Sequence, residues 1–188
     1  MTPTSFEELA LAAPIQRALA EQKYSTPSPI QAQSIPILLK GGDLLGIAQT
    51  GTGKTAAFSL PILDALHNNP QRTRRKSARV LVLTPTRELA TQISQSFDSY
   101  GRHLRFKKTL VFGGVGKNPQ IRAMQSGVDV LVACPGRLLD HMNEGDIELS
   151  GVEYFVLDEV DRMLDMGFLR DVKKIVAALP KEKQSLFF

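Results

Sequence analysis

From residue 43 onward the chain alternates short, continuous apolar runs with longer stretches of helical periodicity. The runs cover 44–48, 80–84, 109–112, 129–133, 154–157 and 185–188. They are apolar throughout rather than at every second position, which marks strands buried on both faces and hence a parallel sheet. Helical patterns lie between them near 54–68, 87–100, 119–126, 136–143 and 168–179. This order predicts an α/β fold: a doubly wound, mostly parallel sheet with helices on both faces. Residues 1–42 come before the first strand and carry helices of their own as part of the same domain. Ser5-Phe6-Glu7-Glu8 has capping-box spacing, with Leu9, Leu11, Ile15 and Leu19 following in roughly helical periodicity. Ser28-Pro29-Ile30-Gln31 repeats the signal, and Gly41-Gly42 ends that helix.

In such sheets ligands sit beyond the carboxyl ends of the strands, so the segments after each apolar run carry the candidate chemistry. The first is Ala48-Gln49-Thr50-Gly51-Thr52-Gly53-Lys54-Thr55, between a strand and a helix-prone segment. Gly51 and Gly53 let successive backbone N–H groups turn inward as an anion nest. Lys54 can reach the outer phosphates of a nucleotide, and the Thr55 hydroxyl is a hard-oxygen ligand suited to magnesium. The one departure from the general phosphate-loop pattern is Ala48 in the first glycine position. This stretch predicts binding of a nucleoside triphosphate.

Downstream, the strand at 154–157 runs into Asp158-Glu159-Val160-Asp161. After a phosphate loop, that is the arrangement in which Asp158 holds magnesium and Glu159 orients or deprotonates the attacking water. The same acids also suit the positive end of a following helix. Gln31 has two uses open to it. It can bond back to its own helix cap, or present a donor and an acceptor to the N6/N7 edge of adenine.

Composition changes this picture little. With 188 residues, 43% apolar and 22% charged, the chain suits one globular domain. The net charge of +4 is only a mild bias towards polyanions. Cys134 is the one cysteine, no apolar stretch is long enough to span a bilayer, and the N-terminus lacks a secretory pattern. A cytoplasmic protein without membrane partners is expected. Residues 68–76 form the one linker-like stretch, basic at its end and better suited to solvent than to a phosphate partner.

The motifs together resemble the DEAD-box ATP-dependent RNA helicases, with the bacterial RhlE-type branch most similar. The resemblance rests on Phe6, Tyr24, Pro27 to Gln31, the phosphate loop, Pro85-Thr86-Arg87-Glu88-Leu89-Ala90, Gly113-Gly114, Pro135-Gly136-Arg137, Asp158 to Asp161 and Arg162 to Phe168. It implies a RecA-like ATP-binding domain over 43–188 preceded by the Q-motif segment. It implies ATP and magnesium as cofactors and one strand of RNA, single or in a short duplex, as a sequence-independent partner. Gln31 is then the adenine reader, Tyr24 the ring on the base and Phe6 its neighbour. Lys54, Asp158 and Glu159 carry catalysis, and Asp161 couples the nucleotide site to the next motif. Pro85, Thr86, Arg87, Gly114, Cys134, Gly136 and Arg137 would grip RNA phosphates and sugars. Such enzymes unwind short duplexes by local strand bending, together with a second RecA-like domain. The chain stops before the family's Ser-Ala-Thr motif, so a truncated half is expected. The alternative is a nucleotide- and RNA-binding fragment with no turnover of its own.

Two departures bear on this. Val160 replaces the alanine of the family's name, adding bulk without a polar atom. Cys134 replaces a threonine. Placed just before Pro135 at a helix start, it is expected to favour the thiolate and to be reactive, or else to be a small apolar residue buried inert in the core.

Overall fold

The computed structural model describes residues 2–49 and 51–188. The chain divides into two compact units, one spanning Met1–Gln71, Gln95–Arg105 and Phe188, the other Arg72–Ser94 and Phe106–Phe187.

The second unit carries the sheet. Strands β2 (Ala78–Leu83), β3 (Lys108–Val111), β4 (Val128–Ala133), β5 (Tyr154–Leu157) and β6 (Gln184–Phe187) lie in the order β6-β5-β2-β4-β3, each pair of neighbours parallel. The central strands are buried on both faces, as continuous apolar runs require: Val80, Leu81, Val82, Val130, Leu131 and Val132 have no exposure. Leu81, Leu83, Leu131, Phe155 and Leu157 share a core with Leu138, Met163 and Ile175 from the helices. The helices of this unit are α5 (Lys117–Met124), α6 (Pro135–Asn143), α7 (Val160–Asp165), α8 (Leu169–Ala177) and the first half of α4 (Arg87–Tyr100). This is the RecA-like α/β fold the alternation predicts.

Strand β2 begins two residues before the apolar run does. Arg79 is buried within it, its guanidinium paired bidentately with Glu153 at 2.9 and 3.1 Å. A buried arginine is tolerable when its charge and its donors are matched in this way. Hydrophobicity cannot reveal such a strand residue, because its partner lies 74 positions away.

The first unit holds a 3-10 turn (Phe6–Glu8), α1 (Ala13–Glu21), α2 (Pro29–Leu39), the short strand β1 (Leu44–Leu45) and α3 (Lys54–Asn68). Helices α2 and α3 pack together, and Ile35, Leu38, Phe58 and Leu60 on them are buried. Two expectations are corrected here. Glu8 accepts mainly from the Thr4 backbone N–H and hydroxyl at 2.8 and 2.7 Å, and Ser5 makes no side-chain cap, so the full reciprocal box its spacing suggests does not form. Helix α1 starts later, where the Ala12 N–H donates to buried Asp64 at 2.7 Å. The apolar run at 44–48 is also not a strand buried on both faces, since it pairs only over Leu44–Leu45 and Leu45 and Ile47 are 72% and 90% exposed. Among the described residues no helix is long and apolar enough to cross a membrane.

Candidate functional site

The first unit places the glycine loop against the start of α2. Gly53 adopts the left-handed conformation (φ 89°) as the N-cap of α3, and Lys54 is the first residue of that helix. Gly51 is also left-handed (φ 79°), with open space where a Cβ would stand. Alternating conformations of this kind aim backbone N–H groups at one point, where the helix dipole adds positive potential. Thr52 steadies the loop by donating its hydroxyl to the Gln49 carbonyl at 2.7 Å. Ala48 and Thr55 are half-buried, and Thr50 lies outside the described residues.

Gln31 is 5% exposed and joins its own cap to this loop. Its Oε1 accepts from the Ser28 N–H at 2.9 Å, and its Nε2 donates to the Gly53 carbonyl at 3.1 Å. Ser28 adds a second tie, donating its hydroxyl to the Thr52 carbonyl at 2.7 Å. The capping use of Gln31 is therefore realised, and the side chain touches the phosphate loop as well. Ser28 as a loop contact is not legible in sequence, where serine before proline signals only a cap. A Cβ on Gly53 would collide with Gln31 Nε2, so the glycine is needed for close approach as well as for its φ.

Phe6 and Tyr24 come together edge-to-face with ring centroids 6.0 Å apart, and Tyr24 meets Tyr100 in the same way at 5.9 Å. Both line a cavity of about 750 Å³ with Ser5, Gln16, Arg17 and Lys23. Tyr24 is 40% exposed, leaving ring surface available to a flat ligand. The cluster is tied down by Gln16, whose amide donates to the Phe6 and Leu9 carbonyls at 2.7 and 2.9 Å.

In the second unit the strand ends align. Thr84, Cys134 and Asp158 donate their backbone N–H groups to the Ala133, Val111 and Leu83 carbonyls at 3.0, 2.9 and 2.9 Å. The segments Thr84–Arg87, Phe112–Gly114, Cys134–Arg137 and Asp158–Asp161 therefore leave one edge of this sheet together. Arg87 stacks over the Phe112 ring, with its guanidinium carbon 4.9 Å from the centroid. Its Nη1 lies 2.8 Å from where a Cβ on Gly114 would stand, and Gly114 is left-handed (φ 78°). Thr86 caps α4, accepting from the Leu89 N–H at 3.3 Å, and Pro85 is buried beside it. Gly136 and Arg137 form the first turn of α6, and the Arg137 Nη1 donates to the Val115 carbonyl at 2.8 Å. Arginine and glycine at adjacent strand ends suit a phosphate backbone, which wants charge and close main-chain approach.

Asp158 is 5% exposed at the end of β5. Glu159 caps α7 in the left-handed conformation (φ 57°, ψ 51°), which costs a non-glycine residue about 1 kcal/mol or more. Asp161 is exposed and accepts the Arg162 N–H at 2.9 Å. Val160 packs, partly buried, against the core of this unit, which absorbs its extra bulk over alanine.

Cys134 takes the buried of its two expected settings. It is the N-cap of α6, where the dipole would favour a thiolate, yet it is buried with 9% exposure. Burial, and then the Glu88 carboxylate, push its pKa up to about 11, against the weaker pull of Arg87. Desolvation outweighs the helix end, so the thiol stays protonated and poorly nucleophilic. Maleimide at neutral pH is expected to leave the native chain unmodified and to label it once denatured. Rapid labelling of the native chain would show that the sulfur is exposed.

A family profile described as "DEAD/DEAH box helicase" matches residues 28–188. The chain is 47% identical over 186 residues to the ATP-dependent RNA helicase DeaD of Escherichia coli (strain K12), covering 98% of this chain and 29% of that protein. It is 45% identical over 188 residues to the protein of the same name from Buchnera aphidicola subsp. Schizaphis graminum, covering 100% of this chain and 30% of that one. Among solved structures it resembles a DEAD box protein from the hyperthermophile Methanococcus jannaschii, with a TM-score of 0.90 at 36% identity over 100% of this chain and 50% of the other. The chain thus spans under a third of the length of these two curated relatives.

Proposed function

This chain belongs to the DEAD/DEAH box helicase family, and we propose that it is the ATP-binding half of an ATP-dependent RNA helicase. In this reading it binds one RNA strand by its backbone and unwinds short duplexes by local strand bending when joined to a second RecA-like domain. The observation that carries the reading is the contact of Gln31 with Gly53 and of Ser28 with Thr52. A side chain able to read adenine is wired directly to a loop able to hold phosphates. When adenine binds, Gln31 exchanges partners, offering its amide to the N6/N7 edge while Tyr24 stacks on the base.

Lys54 and the glycine loop hold the phosphates. Thr55 and Asp158 would each supply magnesium a ligand in this reading, since a hydroxyl and a carboxylate are the hard oxygens that ion prefers. When bound, the ion neutralises charge at the phosphates. Glu159 orients and deprotonates the attacking water, and Asp161 links hydrolysis to the rest of the motor. Thr86, Arg87, Gly114, Gly136 and Arg137 make the strand contacts, read through phosphate and sugar rather than base, while Pro85 and Cys134, whose side chains are buried, take part through the main chain only.

Gln31 matches the donor–acceptor pattern of adenine and not that of guanine. Leaving a buried polar group unpaired costs about 1–3 kcal/mol, so Gln31→Ala is expected to weaken ADP binding roughly tenfold or more. Calorimetry with ADP and GDP tests it directly. Equal affinity for the two nucleotides would leave Gln31 as a helix cap alone.

A further inference from the structure

Behind the strand-end arginine of the second unit lies a buried polar cluster that the reading above leaves without a role. Gln120 of α5 is 7% exposed, and His141 of α6 has no exposure. The Gln120 Nε2 donates to the Phe112 carbonyl at 2.9 Å, at the start of the Gly113-Gly114 turn. That bond orients the amide, so its Oε1 faces His141 Nε2 at 2.9 Å and Arg137 Nη1 at 3.4 Å. Facing an acceptor, the imidazole must carry its proton on Nε2, and both neighbours donate to one oxygen. Reversing the amide would set oxygen against the Phe112 carbonyl and NH₂ against the Arg137 guanidinium, which can only donate.

Arg137 is thereby held from two sides. Its Nη1 is committed inward, to Gln120 and to the Val115 carbonyl at 2.8 Å. Nη1 carries only part of the guanidinium's five N–H donors, so the group keeps a fork for an anion while its orientation is set from behind. The same amide ties down Phe112, whose ring carries the Arg87 guanidinium at 4.9 Å. One buried side chain thus reaches the supports of both arginines and the turn bearing Gly114.

We propose that Gln120 and His141 are positioning residues that hold Arg137 and the Gly113-Gly114 turn in the geometry that grips an RNA strand. This rests on the assignment of Arg137 and Gly114 as RNA contacts. Neither Gln120 nor His141 touches the strand. They act by removing the freedom of a long, flexible cation before the ligand arrives.

The test is fluorescence anisotropy of a short fluorescein-labelled oligouridine against the 188-residue chain, titrated over a salt series, with ADP affinity as the control for folding. Arg137→Ala is expected to weaken RNA and to lower the salt slope by about 0.7, one phosphate contact on a single strand. Gln120→Ala is expected to weaken RNA about three- to tenfold, with much less effect once Arg137 is already alanine, as coupled residues behave. Gln120→Glu is expected to bind more weakly still. Its carboxylate would capture the guanidinium and repel the Phe112 carbonyl, and the salt slope would fall as in Arg137→Ala. His141→Leu is expected to resemble Gln120→Ala, whereas His141→Gln, which restores an N–H near the position of Nε2, is expected to bind RNA within about twofold of the parent. The His141 pair carries the same test should Gln120→Ala not fold.

If Arg137→Ala binds RNA as the parent does, the strand-contact assignment fails and the inference falls with it. If Arg137→Ala weakens RNA while Gln120→Ala and His141→Leu do not, the inference alone is overturned. Equal losses in His141→Leu and His141→Gln, or additive losses in Gln120→Ala with Arg137→Ala, would also overturn it by reducing both residues to packing.

Discussion

Lys54→Ala is expected to weaken ATP and ADP binding by more than roughly tenfold, approaching a hundredfold, while leaving the chain folded. Lys54 is the first residue of α3, directly after left-handed Gly53. Alanine is the best helix former and suits the start of a helix, so the substitution leaves the backbone cradle in place. What it removes is the cationic side chain at the start of that helix, beside an anion nest. A charge-assisted hydrogen bond is worth about 1.5–3 kcal/mol, and phosphate desolvated without its cation costs more, so the loss is expected to exceed roughly tenfold and to approach a hundredfold. Calorimetric titration of ADP, with circular dichroism to confirm the fold, measures it. An affinity within threefold of the parent would show that the loop N–H groups and helix dipole suffice and that Lys54 serves elsewhere.

The second large effect concerns Glu159, and under the proposed function it is read in a protein that joins this chain to a second RecA-like domain. Glu159→Gln is expected to retain ATP and to lose RNA-stimulated hydrolysis by about 10²–10⁴-fold, the usual weight of a general base, because an amide cannot accept the water's proton. The structure adds a consequence for stability. Glu159 sits at φ 57° and ψ 51°, a conformation glycine adopts without penalty. Against the extra flexibility glycine gives the unfolded chain, Glu159→Gly is expected to keep or raise stability, by up to about 1 kcal/mol, while hydrolysis is lost. For a chain of this size that corresponds to a rise of roughly 2–4 °C in Tm. A clearly lower Tm for Glu159→Gly would show that its side chain holds the strand end in place. Hydrolysis surviving in Glu159→Gln would move the base to another residue.

The stored conformation at Glu159 could not be found by reading residue types. Asn, Asp and Gly announce left-handed positions, and glutamate does not. Its place after an apolar strand was nevertheless legible, because the run at 154–157 and the acids that follow are local. The helix α7 beginning at Val160 was legible only as the dipole those acids would complement. Gln31 illustrates an intermediate case. Its spacing from Ser28 announces the bond to the cap, which forms at 2.9 Å. The contact with the Gly53 carbonyl brings in a residue 22 positions on, and no local pattern encodes it.

What the sequence by itself determined is the alternation of parallel strands with helices, the left-handed glycine loop opening α3, and the level at which the chemistry-bearing segments emerge. These follow from hydrophobic period, from the freedom of glycine and from strand ends, all properties of neighbouring residues. Tertiary structure alone decided how deeply each group is buried and what faces it. Asp64, and not Ser5, answers the start of α1, and Glu153 makes Arg79 a strand residue. At Cys134 the local signal, a helix N-terminus, points towards a thiolate, and packing reverses it. The dipole of one helix end is worth a few tenths of a kcal/mol to about 1, whereas removing a charge from water costs several, and burial is the quantity that neighbours in sequence do not carry.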